Sequence, residues 1–360
     1  MRVGKKPGAR ERLLTGIPRG FSKASRYGYA VGRVMVNEAS FVTWNQVQRL
    51  IESDYDDALT VSVETVYGPY LEGSSVPQDI QSGLAGFLAD QYRFLDEICA
   101  GTHVAEFMHL KYDFHNMKVI LKWHYFGELK DGKPVIELGA VATEALQEAV
   151  EERQANRLPG YLKDVIGSVT SRLEREEADP QLLDTILDRA FLERRLAVAE
   201  KEGSRLMVDF CRAAVDVANL NVTLRGKRLG KEREFYGEAL AEGGRLLKKD
   251  LLELSDEPFS VVADRLLGSR YGSMLSAVLE RGDETVRLTT LDRASDEYIL
   301  DKVWGFSRVS VGPERIVRYM LARENEVLML KIIFMGKLHS LTPEVIEARL
   351  PLSYIKQPAW

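Results

Sequence analysis

The segment DFHNMKVILKWH, from Asp113 to His124, has two counterparts that align with it without gaps. They are DVANLNVTLRGK, from Asp216 to Lys227, and EVLMLKIIFMGK, from Glu326 to Lys337. An acid opens each copy, and the acids lie 103 and then 110 residues apart. Common solenoid repeats run only about 20–50 residues. This longer period therefore predicts three similar small domains.

The spacing of apolar residues in each copy predicts a helix. They recur four, seven and eight positions after the acid, which places them on one helical face. The sets are Met117, Ile120 and Leu121, then Leu220, Thr223 and Leu224, then Leu330, Ile333 and Phe334.

The acids Asp113, Asp216 and Glu326 lie on the same face as these apolar residues, at the border of the core. Burying an unpaired charge is very costly. We therefore expect an ion pair or hydrogen bond at each acid that fixes the helices of its domain, with a proton-handling acid as the alternative. Arg212 is a candidate partner for Asp216, four residues away on the same helix.

The segments around the copies are also helical in pattern, so the predicted fold class is all-α. Helices are predicted to begin at Asp179-Pro180, Gly312-Pro313 and Thr342-Pro343, where a capping residue precedes a proline. Val135 to Leu138 is the best strand candidate. Two flanking stretches repeat more weakly: Val66–Leu71 resembles Arg270–Leu275, and Leu187–Ala190 resembles Leu291–Ala294.

The repeat spacing and the Gly/Pro breaks place domain boundaries near residues 132 and 243. The predicted division has a flexible basic N-terminal extension, three helical repeat domains and a C-terminal tail. These are residues 1–20, 21–132, 133–243, 244–354 and 355–360. The extension holds six basic residues against one acid, Glu11.

Composition excludes several classes of protein. The 360 residues are 45% hydrophobic and 29% charged, which is typical of a folded globular chain. A net charge of −5 gives no argument for nucleic acid as a partner. Cys99 and Cys211 form neither a disulfide framework nor a metal motif, and we expect small, reduced, partly buried thiols. We expect no secretory signal, because no apolar stretch of signal-peptide length follows the basic residues near the start, and the apolar run from Val327 to Gly336 is too short to span a bilayer.

No motif predicts chemistry in this chain. Gly226 to Lys231 is glycine-rich and basic, but Arg225 stands where a phosphate loop needs its first glycine and Glu232 follows Lys231. We interpret the segment as a helix end capped by Gly230. The histidine spacings do not fit a metal site. We expect no catalytic residue, cofactor or metal, and a structural role for the repeat-signature residues Asp113, Asn116, Asp216, Asn219, Glu326 and Lys337.

Four motifs together resemble the C subunit of archaeal and bacterial V/A-type ATPases. They are Tyr27–Val34, Asp113–Lys118, Asn219–Asn221 leading into Leu224–Gly230, and Glu324–Leu328 leading into Gly336-Lys337. The likeness runs from about Phe21 to Tyr354. Two features depart from the pattern: residues 1–20 are an extension, and Met335 stands where the second copy has Arg225.

The resemblance implies three similar helical domains around a pseudo-threefold axis, forming a funnel. It implies a non-catalytic rotor subunit, the counterpart of the d subunit of the eukaryotic vacuolar pump, present as one copy per complex. The implied partners are the central shaft subunits and the proteolipid ring. The implied location is cytoplasmic, peripheral on the inner face of the cell membrane through the ATPase complex.

A helical adaptor unrelated to rotary motors is the alternative hypothesis for the function, and a soluble helical enzyme is a third. The direction of the motor, its ion and its contact residues stay open.

Overall fold

The regular structure of this protein is helical, as the apolar period predicts. A computed structural model describes residues 23–74, 76–127, 134–152, 155–173, 180–279 and 288–351. Within those ranges there is no strand, and the predicted all-α fold class is confirmed. The expected basic extension over residues 1–20 and the tail over 355–360 lie outside the described residues.

The α-helices of the described ranges follow one another with short connections. In chain order they are α1 (Lys23–Glu38), α2 (Trp44–Glu52), α3 (Tyr55–Val63), α4 (Gly68–Leu71), α5 (Pro77–Ile98), α6 (Val104–Phe126), α7 (Thr143–Glu151), α8 (Gly160–Leu173), α9 (Pro180–Glu202), α10 (Arg205–Arg228), α11 (Arg233–Ala239), α12 (Lys248–Asp256), α13 (Phe259–Leu267), α14 (Gly272–Leu275), α15 (Leu288–Trp304), α16 (Pro313–Leu338) and α17 (Pro343–Glu347). Two 3₁₀ segments cover Ala155–Arg157 and Gly305–Arg308.

The chain divides into two compact units. One contains residues 1–105 and 306–360, and the other contains residues 106–305. The first unit therefore combines segments from distant parts of the sequence, with α16 packed against α1, α3 and α5. The division into three domains with boundaries near residues 132 and 243, and the threefold axis, stay predictions.

The predicted helix starts at the three prolines are confirmed. Helices α9, α16 and α17 begin at Pro180, Pro313 and Pro343. Proline suits the first helical turn because its fixed φ fits the helix and its missing N–H has no partner there. Neither Gly312 nor Thr342 adds a side-chain cap.

The strand expected at Val135–Leu138 is wrong. This segment is extended only briefly and then turns, and it pairs with no other strand in the described chain. Its backbone instead bonds to the side-chain amide of Asn116: Ile136 N donates to Oδ1 and Nδ2 donates to Ile136 O, both at 2.8 Å. One amide thus supplies both hydrogen bonds that a neighbouring strand would supply.

The apolar faces of the repeat helices form the core of each unit. In the second unit Leu220 and Leu224 of α10 are fully buried. They belong to a cluster with buried residues of α11 to α15, including Tyr236, Leu251, Leu266 and Leu291. In the first unit Leu330 and Ile333 of α16 are equally buried. Truncating such a residue to alanine costs roughly 2–5 kcal/mol.

No helix of the described chain combines the length and apolar character needed to cross a membrane.

The repeat helices end in the same way. Fourteen residues after each acid the backbone has positive φ, at Gly127 (65°), Gly230 (63°) and Ser340 (52°). At the end of α10, Lys231 N donates to Gly226 O and Gly230 N donates to Lys227 O. At the end of α16, Leu341 N donates to Gly336 O and Ser340 N donates to Lys337 O. Both are Schellman ends, in which glycine is favoured at the positive-φ position.

Exchanging the residues at these two equivalent positions should change stability in opposite directions. Ser340→Gly should raise the free energy of unfolding by about 1 kcal/mol, because Ser340 has a conformation that disfavours a Cβ. Gly230→Ser should lower it by a similar amount, although nothing lies within 4 Å of the added Cβ. Urea denaturation followed by circular dichroism measures both, and changes of the same sign would contradict the assignment.

Candidate functional site

Each repeat helix buries its acid completely. Asp113, Asp216 and Glu326 have no exposed surface, and each accepts hydrogen bonds from a backbone N–H and a tyrosine hydroxyl. We call these three arrangements the carboxylate clusters. Each cluster lies within one of the two units.

The first carboxylate cluster joins α6 to the chain that follows it. Val141 N donates to Asp113 Oδ1 and the Tyr161 hydroxyl donates to Oδ2, both at 3.0 Å. Burial raises the pKa of Asp113, and these two bonds oppose part of that rise. Burial, then the charge of Asp113, raises the pKa of Tyr161, so its hydroxyl keeps its proton and donates.

The second carboxylate cluster repeats this geometry on α10. Leu246 N donates to Asp216 Oδ1 at 2.9 Å, and Arg245 N donates to Oδ2 at 3.0 Å. The Tyr271 hydroxyl donates to Oδ2 as well. Arg212, the candidate partner from sequence spacing, pairs instead with Glu200 at 3.2 Å, so that expectation is wrong.

The third carboxylate cluster adds a buried cation. Val42 N donates to Glu326 Oε1 at 2.5 Å and the Tyr67 hydroxyl donates to Oε2 at 3.0 Å. Arg323, fully buried one turn earlier on α16, lies 2.6 Å from Oε2. Burial, the largest single influence, would lower the pKa of Arg323, but the charge of Glu326 together with Tyr319 and Tyr67 outweighs it and raises that pKa. The guanidinium therefore stays charged and also donates to Asn37 O and Ser40 Oγ, both at 2.6 Å.

Two buried asparagines make matching contacts three residues after the acid. Asn219 bonds both backbone groups of Ala241, with Ala241 N to Oδ1 at 2.8 Å and Nδ2 to Ala241 O at 2.9 Å. Asn116 does the same with Ile136. The third copy has Met329 at this position. The amide contact is therefore a property of the first two repeat helices.

Two lysines eleven residues after the acid cap the ends of short helices. Lys227 Nζ donates to Ser255 O at 2.9 Å and Glu257 O at 2.7 Å, at the end of α12. Lys337 Nζ donates to Ile51 O at 2.9 Å and to Ser53 O, at the end of α2. An ammonium group there satisfies free carbonyls and opposes the negative end of the helix dipole.

Glycines lie directly against two of the buried acids. A Cβ added at Gly139 would collide with Asp113 Oδ1, and one added at Gly244 would collide with Asp216 Oδ1. The loops that donate their N–H groups can approach the carboxylates this closely only because these two positions lack a side chain.

Sequence reasoning singled out the acids and missed their tyrosine partners. The sequence did contain a signal for Tyr67 and Tyr271, because they occupy the same place in the matching stretches Val66–Leu71 and Arg270–Leu275. Tyr161 has no such match. Lys227 and Lys337 occupy the same last position of two aligned segments, but only Lys337 was predicted to have a structural role.

The remaining sequence candidates have structural surroundings. Cys99 and Cys211 are buried thiols outside any disulfide, placed more deeply than the partly buried thiols expected. His109 Nδ1 lies 2.6 Å from Leu138 O, and His115 Nε2 lies 3.1 Å from Pro134 O. Gly230 is the helix-end glycine, as predicted. Among the residues that the structure describes, no group of three or more His, Cys, Asp or Glu is placed to hold a metal ion.

Comparison with known proteins gives one consistent family. The family model described as ATP synthase (C/AC39) subunit matches residues 30–349. The chain is 24% identical over 318 residues to the C subunit of the V-type sodium ATPase of Enterococcus hirae, covering 88% of this chain and 95% of the relative. It is 25% identical over 347 residues to the C subunit of the A-type ATP synthase of Methanocaldococcus jannaschii, covering 90% and 86%.

The second carboxylate cluster predicts a large effect for a small change. Both oxygens of Asp216 accept a backbone N–H, whereas asparagine offers one acceptor and would turn its NH₂ toward a donor. Asp216→Asn should therefore lower the free energy of unfolding by about 2–3 kcal/mol. Asp209→Asn makes the same change on the same helix, at an exposed ion pair with Arg245, and should cost about 0.5 kcal/mol or less. Similar losses for the two variants in urea denaturation would contradict this role for Asp216.

The third carboxylate cluster predicts strong coupling between its two charges. Arg323→Met leaves the buried Glu326 carboxylate without its cation and should cost about 3–5 kcal/mol. Glu326→Gln in the same chain removes the stranded charge, so the double variant should recover about 2 kcal/mol or more relative to additive losses. A thermodynamic cycle of the two single variants and the double variant measures the coupling. Additive losses would show that the pair is not coupled.

Proposed function

The chain belongs to the ATP synthase (C/AC39) subunit family, and we propose that it works as the socket of a prokaryotic V/A-type rotary ATPase. By socket we mean the rotor subunit that joins the central shaft to the proteolipid ring. It is an accessory subunit and not a catalytic one. The family assignment also removes the alternative of an adaptor unrelated to rotary motors.

The observation that carries the proposal is the family match together with the repeated anchoring of the long helices. Asp216 and Lys227 fix α10 at two points, and Glu326 and Lys337 fix α16 in the same way. Eleven residues of helix separate the two points by about 16 Å. A helix held at two points that far apart resists both rotation about its axis and sliding along it.

Resistance to such movements is what a torque-bearing part needs. Bonds between a buried carboxylate and backbone N–H groups are charge-assisted and not weakened by solvent, so they suit sustained load better than exposed ion pairs. Helix α6 has its second attachment through ion pairs to α9: Lys118 with Asp188 at 2.7 Å and Lys122 with Asp184 at 2.9 Å. Each repeat helix thus has more than one attachment within its own unit.

The proposed role requires no chemistry in this chain. The basic, glycine-rich segment from Gly226 to Lys231 closes a Schellman helix end, with its N–H groups directed to the helix carbonyls. Those N–H groups therefore do not form a phosphate cradle. ATP binding and hydrolysis belong, in this proposal, to other subunits of the complex.

The proposed position is peripheral, at the inner face of the cell membrane, with one copy per complex. The partners would be the shaft subunits on one side and the proteolipid ring on the other. The proposal covers ATP synthesis as well as ion pumping, because the chain resembles the C subunits of both an A-type ATP synthase and a V-type sodium ATPase. A ring need not share the symmetry of the socket, so we expect a broad and partly polar contact with no dominant anchor residue.

Reconstitution tests the socket role directly. ATPase complexes assembled without this chain should hydrolyse ATP in the soluble head and transport no ions into vesicles, because the shaft is no longer joined to the ring. Adding the purified chain back should restore ion transport in proportion to ATP consumed. Parallel measurements of vesicle ion uptake and phosphate release give the ratio.

Two controls define the result. The purified chain alone should release no phosphate from ATP. Asp209→Asn, changed only at an exposed ion pair, should restore transport as well as the unaltered chain. Normal coupling of transport to hydrolysis in vesicles that lack the chain would refute the socket role.

A further inference from the structure

The third repeat helix lacks a surface ion pair that the other two possess. Nine residues after the acid, Lys122 pairs with Asp184 and Arg225 pairs with Asp292, each on the long helix packed alongside. The third copy has Met335 there, and its contact on the neighbouring helix α5 is the Gln81 amide at 3.7 Å. A charged contact has been replaced by an uncharged one.

At the position five residues after the acid, the third copy again lacks the polar contact that the first two copies make. Lys118 pairs with Asp188 at 2.7 Å, and Asn221 bonds to Ser295 at 3.3 Å. Lys331 is the third residue at this position, half-buried on α16. It makes no hydrogen bond or ion pair with any part of the chain that the structure describes. Burial lowers the pKa of the Lys331 ammonium, as expected for a cation without a compensating charge.

A cavity of about 260 Å³ lies beside Lys331, between α3, α5 and α16 of the first unit. Its apolar wall is formed by Pro77, Ile80, Phe334 and Met335, and its polar groups come from Tyr55, Gln81 and Lys331. A concave apolar site with a few converging polar groups is the usual form of a small-ligand pocket.

The Tyr55 hydroxyl in the same wall is also without a partner. Its oxygen is buried and makes no hydrogen bond within the described chain. The ring is held edge-on against Phe334, with centroids 5.8 Å apart. Burial, followed by the charges of Asp56 and Asp79, raises the pKa of Tyr55. The hydroxyl therefore keeps its proton, and because its oxygen has almost no accessible surface it can donate to a ligand only after a small turn of the Tyr55 ring.

We propose that this cavity binds a carboxylate that carries a small apolar group. The carboxylate would pair with Lys331 Nζ and accept a hydrogen bond from Tyr55 Oη, while its apolar part packs on Ile80, Phe334 and Met335. Such a ligand would satisfy both unpartnered polar groups at once, whereas water does not reach the Tyr55 oxygen as the cavity stands.

Charge favours a carboxylate over a phosphate. The cavity offers one cation, and the nearby Asp56 and Asp79 oppose a second negative charge. Phosphate sites commonly use arginine forks, and the residues that line this cavity include no arginine. The inference concerns this cavity alone and is independent of the socket role.

Benzoate is the test ligand, and benzamide is its neutral isostere. Benzoate should bind the full chain with a dissociation constant of about 1 mM or tighter, the scale expected of so small a ligand. Methyl NMR signals of Ile80 and Met335 should shift during the titration and so locate the ligand. Benzamide should bind at least about tenfold more weakly, because it carries no charge for Lys331.

Variants separate the proposal from a general loss of structure. Lys331→Met should weaken benzoate binding about tenfold or more and should raise the melting temperature, since it removes an unpartnered half-buried charge. Tyr55→Phe should weaken binding by about threefold to tenfold. Lys118→Met changes the equivalent position of the first repeat helix and should leave benzoate binding unchanged.

Three outcomes would overturn the proposal: equal binding of benzoate and benzamide, unchanged binding by Lys331→Met, or no methyl shift at about 20 mM benzoate. The assembled ATPase distinguishes two sources of the carboxylate. If benzoate still binds the complex, the ligand is a free organic acid. If benzoate no longer binds and Lys331→Met weakens assembly, the carboxylate belongs to a neighbouring subunit.

Discussion

Burial of one carboxylate in each repeat helix is the constraint on which the surrounding structure depends. An unpaired carboxylate in the core would cost several kcal/mol. Asp113, Asp216 and Glu326 avoid that cost by accepting backbone N–H and tyrosine O–H groups from segments remote in sequence. Those segments must fold back onto the helix at a fixed distance. The carboxylate thus specifies where the loop, the tyrosine helix and the repeat helix meet.

The order of the partners along the chain explains why one unit contains distant parts of the sequence. Asp113 and Asp216 take their partners from residues that follow them, up to Tyr161 and Tyr271. Glu326 takes Val42 and Tyr67, 284 and 259 residues earlier. The third cluster therefore closes a much longer loop, which costs more chain entropy. It is also the cluster that gains a buried ion pair, with Arg323.

Local sequence signals predicted the helices and their ends well, because apolar period, proline and glycine act within a few residues. They also predicted that the acids need partners, since that follows from the helical face alone. They could not identify Tyr161, because nothing periodic links it to Asp113 across 48 residues. The strand expected at Val135–Leu138 failed because Asn116, a distant side chain, satisfies that backbone. The helical spacing of Arg212 suited a pair with Asp216, but Arg212 forms its ion pair with Glu200 on α9.

The three copies differ at the surface, where change costs little. Losing a buried carboxylate partner costs several kcal/mol, whereas an exposed ion pair such as Arg225–Asp292 contributes about 1 kcal/mol or less. The pair is absent from the third copy, where Met335 and Gln81 replace it, while Glu326 keeps its buried contacts. Similar interiors can therefore carry different surfaces. A protein built from repeats needs such differences when its partner does not share the symmetry of the repeats, because each copy then meets a different surface.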